Sequence, residues 1–125
     1  METKLKVSEI LNLHLTLKTI IDHETNVDAL FKFKLLGILK AIEHHVIHFE
    51  MVKNEKIKAL GTEDEDGNTV IPADDTEAIQ KFSESMEATL NSEVTVAVDK
   101  LRVSEVFDKG VPCEYLIGLY SMMEE

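Results

Sequence analysis

Cysteine, tryptophan and proline are scarce in this chain of 125 residues, which has one cysteine, no tryptophan and two prolines. A single cysteine cannot form a disulfide within the chain, so a small secreted domain built on disulfides is excluded. No apolar run approaches the ~20 residues that a membrane-spanning helix needs. The first six residues also lack the basic-then-apolar order of a signal peptide. We therefore expect a cytoplasmic protein that does not bind membranes.

The composition that remains is that of one ordered domain, residues 1–125. Hydrophobic residues make up 44% of the chain and charged residues 30%, which can supply one core and one solvated surface. Because only 6% of the residues are aromatic, the core should consist mainly of Leu, Ile and Val.

Negative charge is concentrated in the second half of the chain. Residues 1–60 hold 9 Lys and 8 acidic residues, for a net charge of +1, whereas residues 61–125 hold 4 basic and 16 acidic residues, for −12. An acidic half of this kind repels phosphate, so nucleic-acid binding is not expected. It can attract a basic protein surface, or simply keep the protein soluble.

Motifs that carry catalysis are missing from the sequence. It contains no phosphate-binding glycine loop, nucleophile elbow or dinucleotide fingerprint. Cys113 has only Lys109 as a basic neighbour in sequence, which favours a core thiol over a nucleophile. We therefore predict a non-enzymatic protein with no cofactor, no catalytic residue and no small-molecule substrate.

Three histidines, His44, His45 and His48, form the most suggestive cluster for metal chemistry. His44 and His48 are four residues apart, so one helix face could present both to a metal. A zinc metalloprotease needs glutamate directly after the first histidine, and His45 occupies that position. No third ligand follows nearby, so surface or contact histidines are favoured over a metal site.

Helical periodicity dominates the first 60 residues. Ser8 resembles a helix N-cap, and Ile10–Ile21 fits either a strand, with leucines at alternate positions, or a helix, which we favour. A second helix is predicted from Asn26, capped by Thr25 or Asn26, to Leu60, with Gly61 ending it. At ~1.5 Å per residue it is ~50 Å long, so it should project beyond the globular part unless it breaks near Gly37. Its predicted core side chains are Phe31, Leu35, Ile38, Leu39, Ile42, Val46 and Phe49.

A second apolar row lies on the opposite side of this helix. Phe33, Leu36, Ile47 and Met51, the outer stripe, fall within about 60° of one another on a helical wheel, with Lys40 and His44 between them. If the stripe is exposed, it predicts a protein contact. The alternative is that the first or third helix covers it.

The acidic residues Glu63, Asp64 and Asp66 precede Gly67, and Asp66-Gly67 is typical of a tight turn. Asp64, Asp66 and Asn68 alternate like the start of a calcium loop, but glycine at the sixth position and glutamate at the twelfth are absent. An acidic turn is therefore favoured over a calcium site. It is the second candidate contact surface.

The rest of the chain predicts a third helix, Thr76–Asn91, a strand at Val94–Val98 and a last helix that begins near Pro112. The last helix should bury Leu116, Leu119, Tyr120 and Met123. Lys4–Leu11 is echoed by Lys100–Phe107, each a strand end followed by a Ser-capped helix. We predict that Lys4–Val7 and Lys100–Val103 pair side by side.

In this order, the elements resemble a family of short uncharacterised proteins of tailed bacteriophages. The segments that carry the resemblance are Leu5–Ile10, the long helical middle, Glu63–Asn68, Leu90–Val96, Leu101–Phe107 and Leu116–Met123. The run His44–His48 is not part of the family pattern. The resemblance implies a helical hairpin with a small β element, a phage origin and a location in the host cytoplasm or the virion.

The fold class predicted is thus α+β, mostly helical, with a long helical hairpin and a small β element. The function predicted is that of a phage structural or assembly component that binds a protein partner or itself. The alternative is an acidic inhibitor of a host or defence protein. The contact residues expected are Phe33, Leu36, Ile47 and Met51 for the first function, and Glu63, Asp64 and Asp66 for the second.

Overall fold

A computed structural model describes residues 2–124, which fold into five helices and six short strands. In chain order the elements are β1 (Thr3–Lys6), α1 (Val7–His23), α2 (Ala29–Leu60), β2 (Thr62–Glu63), β3 (Thr69–Val70), α3 (Thr76–Asn91), β4 (Glu93–Val96), β5 (Leu101–Arg102), α4 (Val103–Asp108), α5 (Leu116–Leu119) and β6 (Met123–Glu124). Helices α1 and α2 form the long hairpin, so the predicted mostly helical α+β class is confirmed. Within residues 2–124, none of the helices combines the length and the apolar character needed to cross a membrane.

Helix α1 settles the ambiguity of Ile10–Ile21 in favour of a helix. Ile10, Leu13, Leu17 and Ile20 are fully buried, whereas Leu15, which a strand would place with the other leucines, is exposed. The predicted N-cap is wrong: Lys6 occupies that position, and its N–H donates to Glu9 Oε1 at 2.9 Å. Strand β1 runs directly into the helix, which places Ser8 inside the first turn.

Helix α2 is continuous through Gly37 and, with 32 residues, is ~48 Å long. It begins at Ala29, three residues after the predicted start at Asn26. The cap is Asp28 and not Thr25 or Asn26, since the Asp28 side chain accepts from the Phe31 N–H at 3.0 Å. It ends at Leu60, as predicted. Gly61 is extended, not left-handed, and a Cβ there would lie 2.6 Å from the Ile57 carbonyl oxygen and 2.7 Å from that of Val70. The close approach of β3 therefore requires glycine at this position.

The main core lies between α1, whose buried residues run from Val7 to Ile20, and the first half of α2. Phe31, Leu35, Ile38 and Ile42 are the buried residues of α2, and Leu39 and Val46 pack against them partly buried. Phe49 is only half-buried and lies outside this core. Beyond it, α2 packs against α3 and β3.

The solvent-accessible surface of the chain shows how far α2 reaches beyond this core. The surface measures 8234 Å², against ~6,700 Å² for a compact monomer of this mass. The excess is the surface of an elongated molecule, with a long helix that is not wrapped on all sides.

The predicted pairing of Lys4–Val7 with Lys100–Val103 is wrong. Strand β1 pairs antiparallel with β4, with Leu5 opposite Val94, and β5 pairs in parallel with β6. Strand β4 covers the first three residues of the predicted strand Val94–Val98. The two similar sequence segments do form similar structures, since strand β1 leads directly into helix α1 and strand β5 leads directly into helix α4. Residues of β1 and β5 line the same surface groove. The observed strand pairing places the apolar side chains of three strands, Leu5, Val96 and Leu101, in the core, so burial determines the register.

The C-terminal segment also departs from expectation. Instead of one helix, the chain makes a 3₁₀ turn at Cys113–Tyr115, the short α5 and another 3₁₀ turn at Tyr120–Met122. Leu119 is buried as predicted, but Met122 takes the buried place expected for Tyr120, which is exposed. The tighter 3₁₀ turns shift the buried face by about one to two residues. Cys113 is exposed rather than in the core.

Candidate protein-binding surface

The outer side of α2 is open to solvent along its length. The buried residues of α2 all point toward α1, about 180° away from the outer stripe at ~100° per residue. Twelve exposed residues lie on the outer side: Leu30, Phe33, Leu36, Gly37, Lys40, His44, Ile47, His48, Met51, Asn54, Glu55 and Lys58. Neither α1 nor α3 covers the outer stripe, because all four of its side chains are exposed.

The four residues of the outer stripe are therefore exposed apolar side chains. Phe33 is 76% exposed, Met51 63%, Ile47 52% and Leu36 38%. Leu30, 81% exposed, extends the apolar surface by one turn toward the N-terminal end of the helix. They form two exposed apolar groups, Leu30, Phe33 and Leu36 toward one end of α2 and Ile47 and Met51 farther along, with Lys40 and His44 between them. Grouped exposed apolar side chains of this kind indicate a contact surface.

Positive charge accompanies this apolar surface. Helix α2 holds six Lys and three Glu, so its net charge is +3 in a chain whose net charge is −11. Lys40 lies in the middle of the outer side and forms an ion pair with Glu43 at 3.3 Å. The most acidic half of the protein thus lies elsewhere, and α2 is where negative self-repulsion is weakest.

His44 and His48 are exposed on the outer side of α2, whereas His45 is half-buried and borders the core side of the helix. The ring centroids of His44 and His45 are 3.9 Å apart, and those of His44 and His48 are 5.8 Å apart. Burial lowers the pKa of His45 from its ordinary value, and the neighbouring charges of His44 and His48 lower it further. Among the described residues, no three His, Cys, Asp or Glu side chains are grouped so that they could hold a metal ion.

The acidic residues predicted as a second contact surface lie on a different structure, the β2–β3 hairpin. Its turn has Gly67 in the left-handed conformation, with φ +83°, as Asp66-Gly67 predicted. Asp64 Oδ1 accepts from the N–H groups of Asp66 at 3.0 Å and Asn68 at 2.9 Å, so this carboxylate stabilises the turn. Glu63, Asp64 and Asp66 are all exposed. The hairpin follows the C-terminal end of α2, ~15 Å along the helix from Met51, so the two candidate surfaces do not merge.

Two further apolar surfaces were missed in the sequence. A groove of about 270 Å³ is lined by Ile57, Thr69, Val70, Ile71, Ile79 and Phe82, where α2, β3 and α3 meet. Near the C-terminus, Ile117 is 91% exposed and Tyr120 80%. Helical periodicity could not reveal either surface. The first joins residues far apart in sequence, and the second depends on 3₁₀ turns that replace a regular helix.

Comparison of this chain with protein-family models, with curated proteins and with solved structures finds no match.

Proposed function

We propose that this protein is a non-enzymatic, phage-encoded structural or assembly component that acts by binding protein through the outer side of α2. The observation that carries the proposal is the exposure of Phe33, Ile47 and Met51 on a helix whose opposite side forms the core. A helix that is apolar on two opposite sides exposes one of them unless a partner covers it.

Energetic reasoning supports a contact at these side chains. Aromatic residues and methionine are enriched at protein interfaces, and burying one good anchor contributes ~2 kcal/mol or more. Exposing such residues to water has no benefit for the monomer, since burial of apolar surface is the main favourable term in folding. The phage assignment rests on the resemblance of the chain's segments, in their order, to the bacteriophage family.

The experiment is mass spectrometry of purified virions from a phage that carries this protein, in parallel for the wild type and a Phe33→Asp, Met51→Asp double variant. We expect the wild type at stoichiometric copy number and the double variant depleted from virions. Circular dichroism should show the same helicity for both, because the two substituted side chains are exposed. Leu35→Asp, at a buried position two residues after Phe33 on the opposite side of the helix, is the matched control and should unfold the protein.

The second candidate function is that of an inhibitor that binds a basic surface of a host or defence protein. The observation that favours it is the exposed acidic hairpin, with Glu63, Asp64 and Asp66 open to solvent in a half-chain of charge −12. Binding through this surface should weaken as salt rises, because ~0.15 M salt screens exposed charges beyond about 8 Å. Absence from virions despite strong expression, together with loss of binding in Glu63→Gln and Asp66→Asn variants, would favour this candidate. Asp64 is left unchanged because it stabilises the turn.

A further inference from the structure

The outer side of α2 carries a coiled-coil spacing in addition to the outer stripe. Six exposed residues follow one another at separations of 4, 3, 4, 3 and 4: Phe33, Gly37, Lys40, His44, Ile47 and Met51. This is the alternation of d and a positions in a heptad repeat, which places side chains in one row facing a partner helix. We call these six residues the outer heptad row.

The outer heptad row is nearly symmetric about residue 42. In an antiparallel pair of identical helices centred there, Phe33 lies level with Met51 of the second copy, and Met51 with its Phe33. The next layer inward joins Gly37 to Ile47, and the innermost joins Lys40 to His44. Each layer therefore combines one d and one a position, as antiparallel coiled coils require. The outermost layers are apolar on both sides, with a methionine sulfur against an aromatic ring.

Gly37 supplies the space that this pairing needs. A Cβ built on Gly37 meets no atom within 4 Å, and the glycine borders a groove of about 370 Å³ lined by Lys34, Ile38 and residues 97–99. Nothing within the described chain therefore requires glycine at this helical position, although glycine disfavours a helix. The β-branched side chain of Ile47 from a second copy would fill the gap beside Gly37.

Charge favours the antiparallel orientation over the parallel one. In a parallel pair, Lys40 would face Lys40 and Gly37 would face Gly37, which brings like charges together and leaves a cavity. In the antiparallel pair, Lys40 faces His44, so neither two lysines nor two glycines lie directly opposite each other. A polar layer at the centre of a helix pair also fixes its register, at some cost in stability.

The size of the surface sets the strength of the association. The outer heptad row spans ~27 Å of a helix ~10 Å wide, so the interface lies near or below the ~1,200 Å² of the smallest stable protein complexes. The pair should accordingly be a reversible dimer that forms at micromolar or higher concentration, not an obligate one.

We propose that a second copy of this chain occupies the outer side of α2, as an antiparallel two-fold dimer with Phe33 against Met51 and Gly37 against Ile47. The proposal rests on the proposed function and specifies the partner for that surface. A two-fold contact uses the same surface on both copies, so two helices of net charge +3 meet, and their repulsion is consistent with a weak, reversible pair.

Exchange of the Gly37 and Ile47 side chains tests the pairing. Gly37→Ile alone places two isoleucines in each of two layers, and Ile47→Gly alone leaves two glycines there, so either variant should weaken the dimer at least tenfold. The double variant restores one isoleucine and one glycine to each layer and should recover dimerisation to within about threefold of the wild type. The dimer dissociation constants of the wild type and the three variants are measured by sedimentation equilibrium from 5 to 500 µM, roughly the micromolar range expected for a small interface.

The exchange keeps helix composition constant in the double variant, so circular dichroism separates folding from association. Each experiment is carried out in a Cys113→Ser background, because the exposed thiol could otherwise join two copies covalently. A wild-type protein that stays monomeric at 500 µM overturns the proposal, as does a double variant weaker than both single variants.

Directed disulfides test the orientation independently. In the Cys113→Ser background, Phe33→Cys mixed with Met51→Cys should form a disulfide-linked dimer on mild oxidation, because the two positions share a layer. Either variant alone should cross-link at least tenfold more slowly. Faster cross-linking of Phe33→Cys with itself would show a parallel pair and overturn the antiparallel proposal.

The two proposals fail separately. A monomer at all concentrations that is nevertheless incorporated into virions overturns the dimer and leaves the structural function intact. A dimer that passes the exchange and cross-linking tests but is absent from virions leaves the dimer intact and overturns the structural role.

Discussion

The phenolic hydroxyl of Tyr115 donates a hydrogen bond of 2.8 Å to Glu24 Oε1, joining the C-terminal segment to the end of α1. The two residues are 91 positions apart in sequence. Nearby, the Asp28 N–H donates to the Lys109 carbonyl oxygen at 3.0 Å, and Gly110 adopts φ +84° against Asn26. The hairpin loop between α1 and α2 is therefore held by the segment after α4, which lies next to it in space.

Tyr115→Phe should lower the melting temperature by removing this contact. The hydrogen bond to Glu24 raises the pKa of Tyr115 above its ordinary value, with burial and the negative charges of Glu24 and Glu114 adding to the effect. The folded protein thus retains the proton longer than the unfolded chain does. The contribution to stability is complete below pH ~10 and declines as pH rises through the raised pKa. Alkaline absorbance titration with Tyr120→Phe as the control isolates Tyr115, since the chain has two tyrosines.

His45 should give stability a dependence on acid pH. Because burial and then the charges of His44 and His48 lower its pKa, the unfolded chain binds a proton at higher pH than the folded protein does. The stability contribution is complete above pH ~6.5 and is lost as pH falls through the lowered pKa. Urea denaturation at pH 7.5 and pH 5 should show a smaller difference for His45→Gln than for the wild type. An unchanged difference would mean that other groups account for the acid sensitivity.

Gly37 within α2 and Gly61 directly after it should respond to alanine with stability changes of opposite sign. Gly37→Ala adds a Cβ where no atom lies within 4 Å, so it should stabilise the folded monomer by ~0.5–1 kcal/mol through helix propensity. Gly61→Ala places a Cβ against the carbonyl oxygens of Ile57 and Val70, so it should destabilise by ~1–3 kcal/mol through overpacking. Chemical denaturation at low protein concentration, where the monomer dominates, measures both. If both substitutions change the stability in the same direction, the space around one of the two glycines differs from that described.

Strand β1 offers a matched pair of substitutions on its two sides. Leu5 is buried in the core opposite Val94 in the β1–β4 pair, whereas its neighbour Lys4 is exposed. Leu5→Ala should therefore cost ~2–5 kcal/mol, and Lys4→Ala should change stability by less than ~0.5 kcal/mol. If the two substitutions lower the free energy of unfolding equally, the side chain of Leu5 does not contribute to the core.

Helices with regular 3.6-residue periodicity were predictable from the sequence. The limits of α3, Thr76–Asn91, match the prediction at both ends, because Asp75 accepts from the Ala78 N–H at 3.1 Å and β4 follows at once. The buried row of α1 was compatible with a helix, but the alternating leucines of the same segment also fitted a strand until burial decided between them. The sequence also placed Phe33 and Met51 on one side of α2, but whether another helix covers that side depends on packing between distant elements.

Strand pairing and the C-terminal turns could not be predicted because local pattern does not determine them. The sequences of Lys4–Val7 and Lys100–Val103 are similar, but the first segment pairs with β4 and the second with β6. A short strand with one apolar side can pair with many others, so sequence alone does not select the partner. Gly118 shows the same limit in the last segment. A Cβ there would overlap the Thr16 side chain of α1, so the position of α5 depends on a contact that no local sequence pattern records.

The main core supports only part of α2, because its last buried side chain, Ile42, lies near the middle of the helix. One unbroken helix therefore joins a segment buried in the main core to a segment without fully buried side chains, next to α3 and the β2–β3 hairpin. Amide hydrogens of the second segment should exchange with solvent through local opening, at a smaller free energy than global unfolding requires. Ile47 and Met51 belong to this weakly protected segment, whereas Phe33 belongs to the protected one. A partner that binds all three would slow exchange mainly in the distal half, and it would make the helix equally stable along its length.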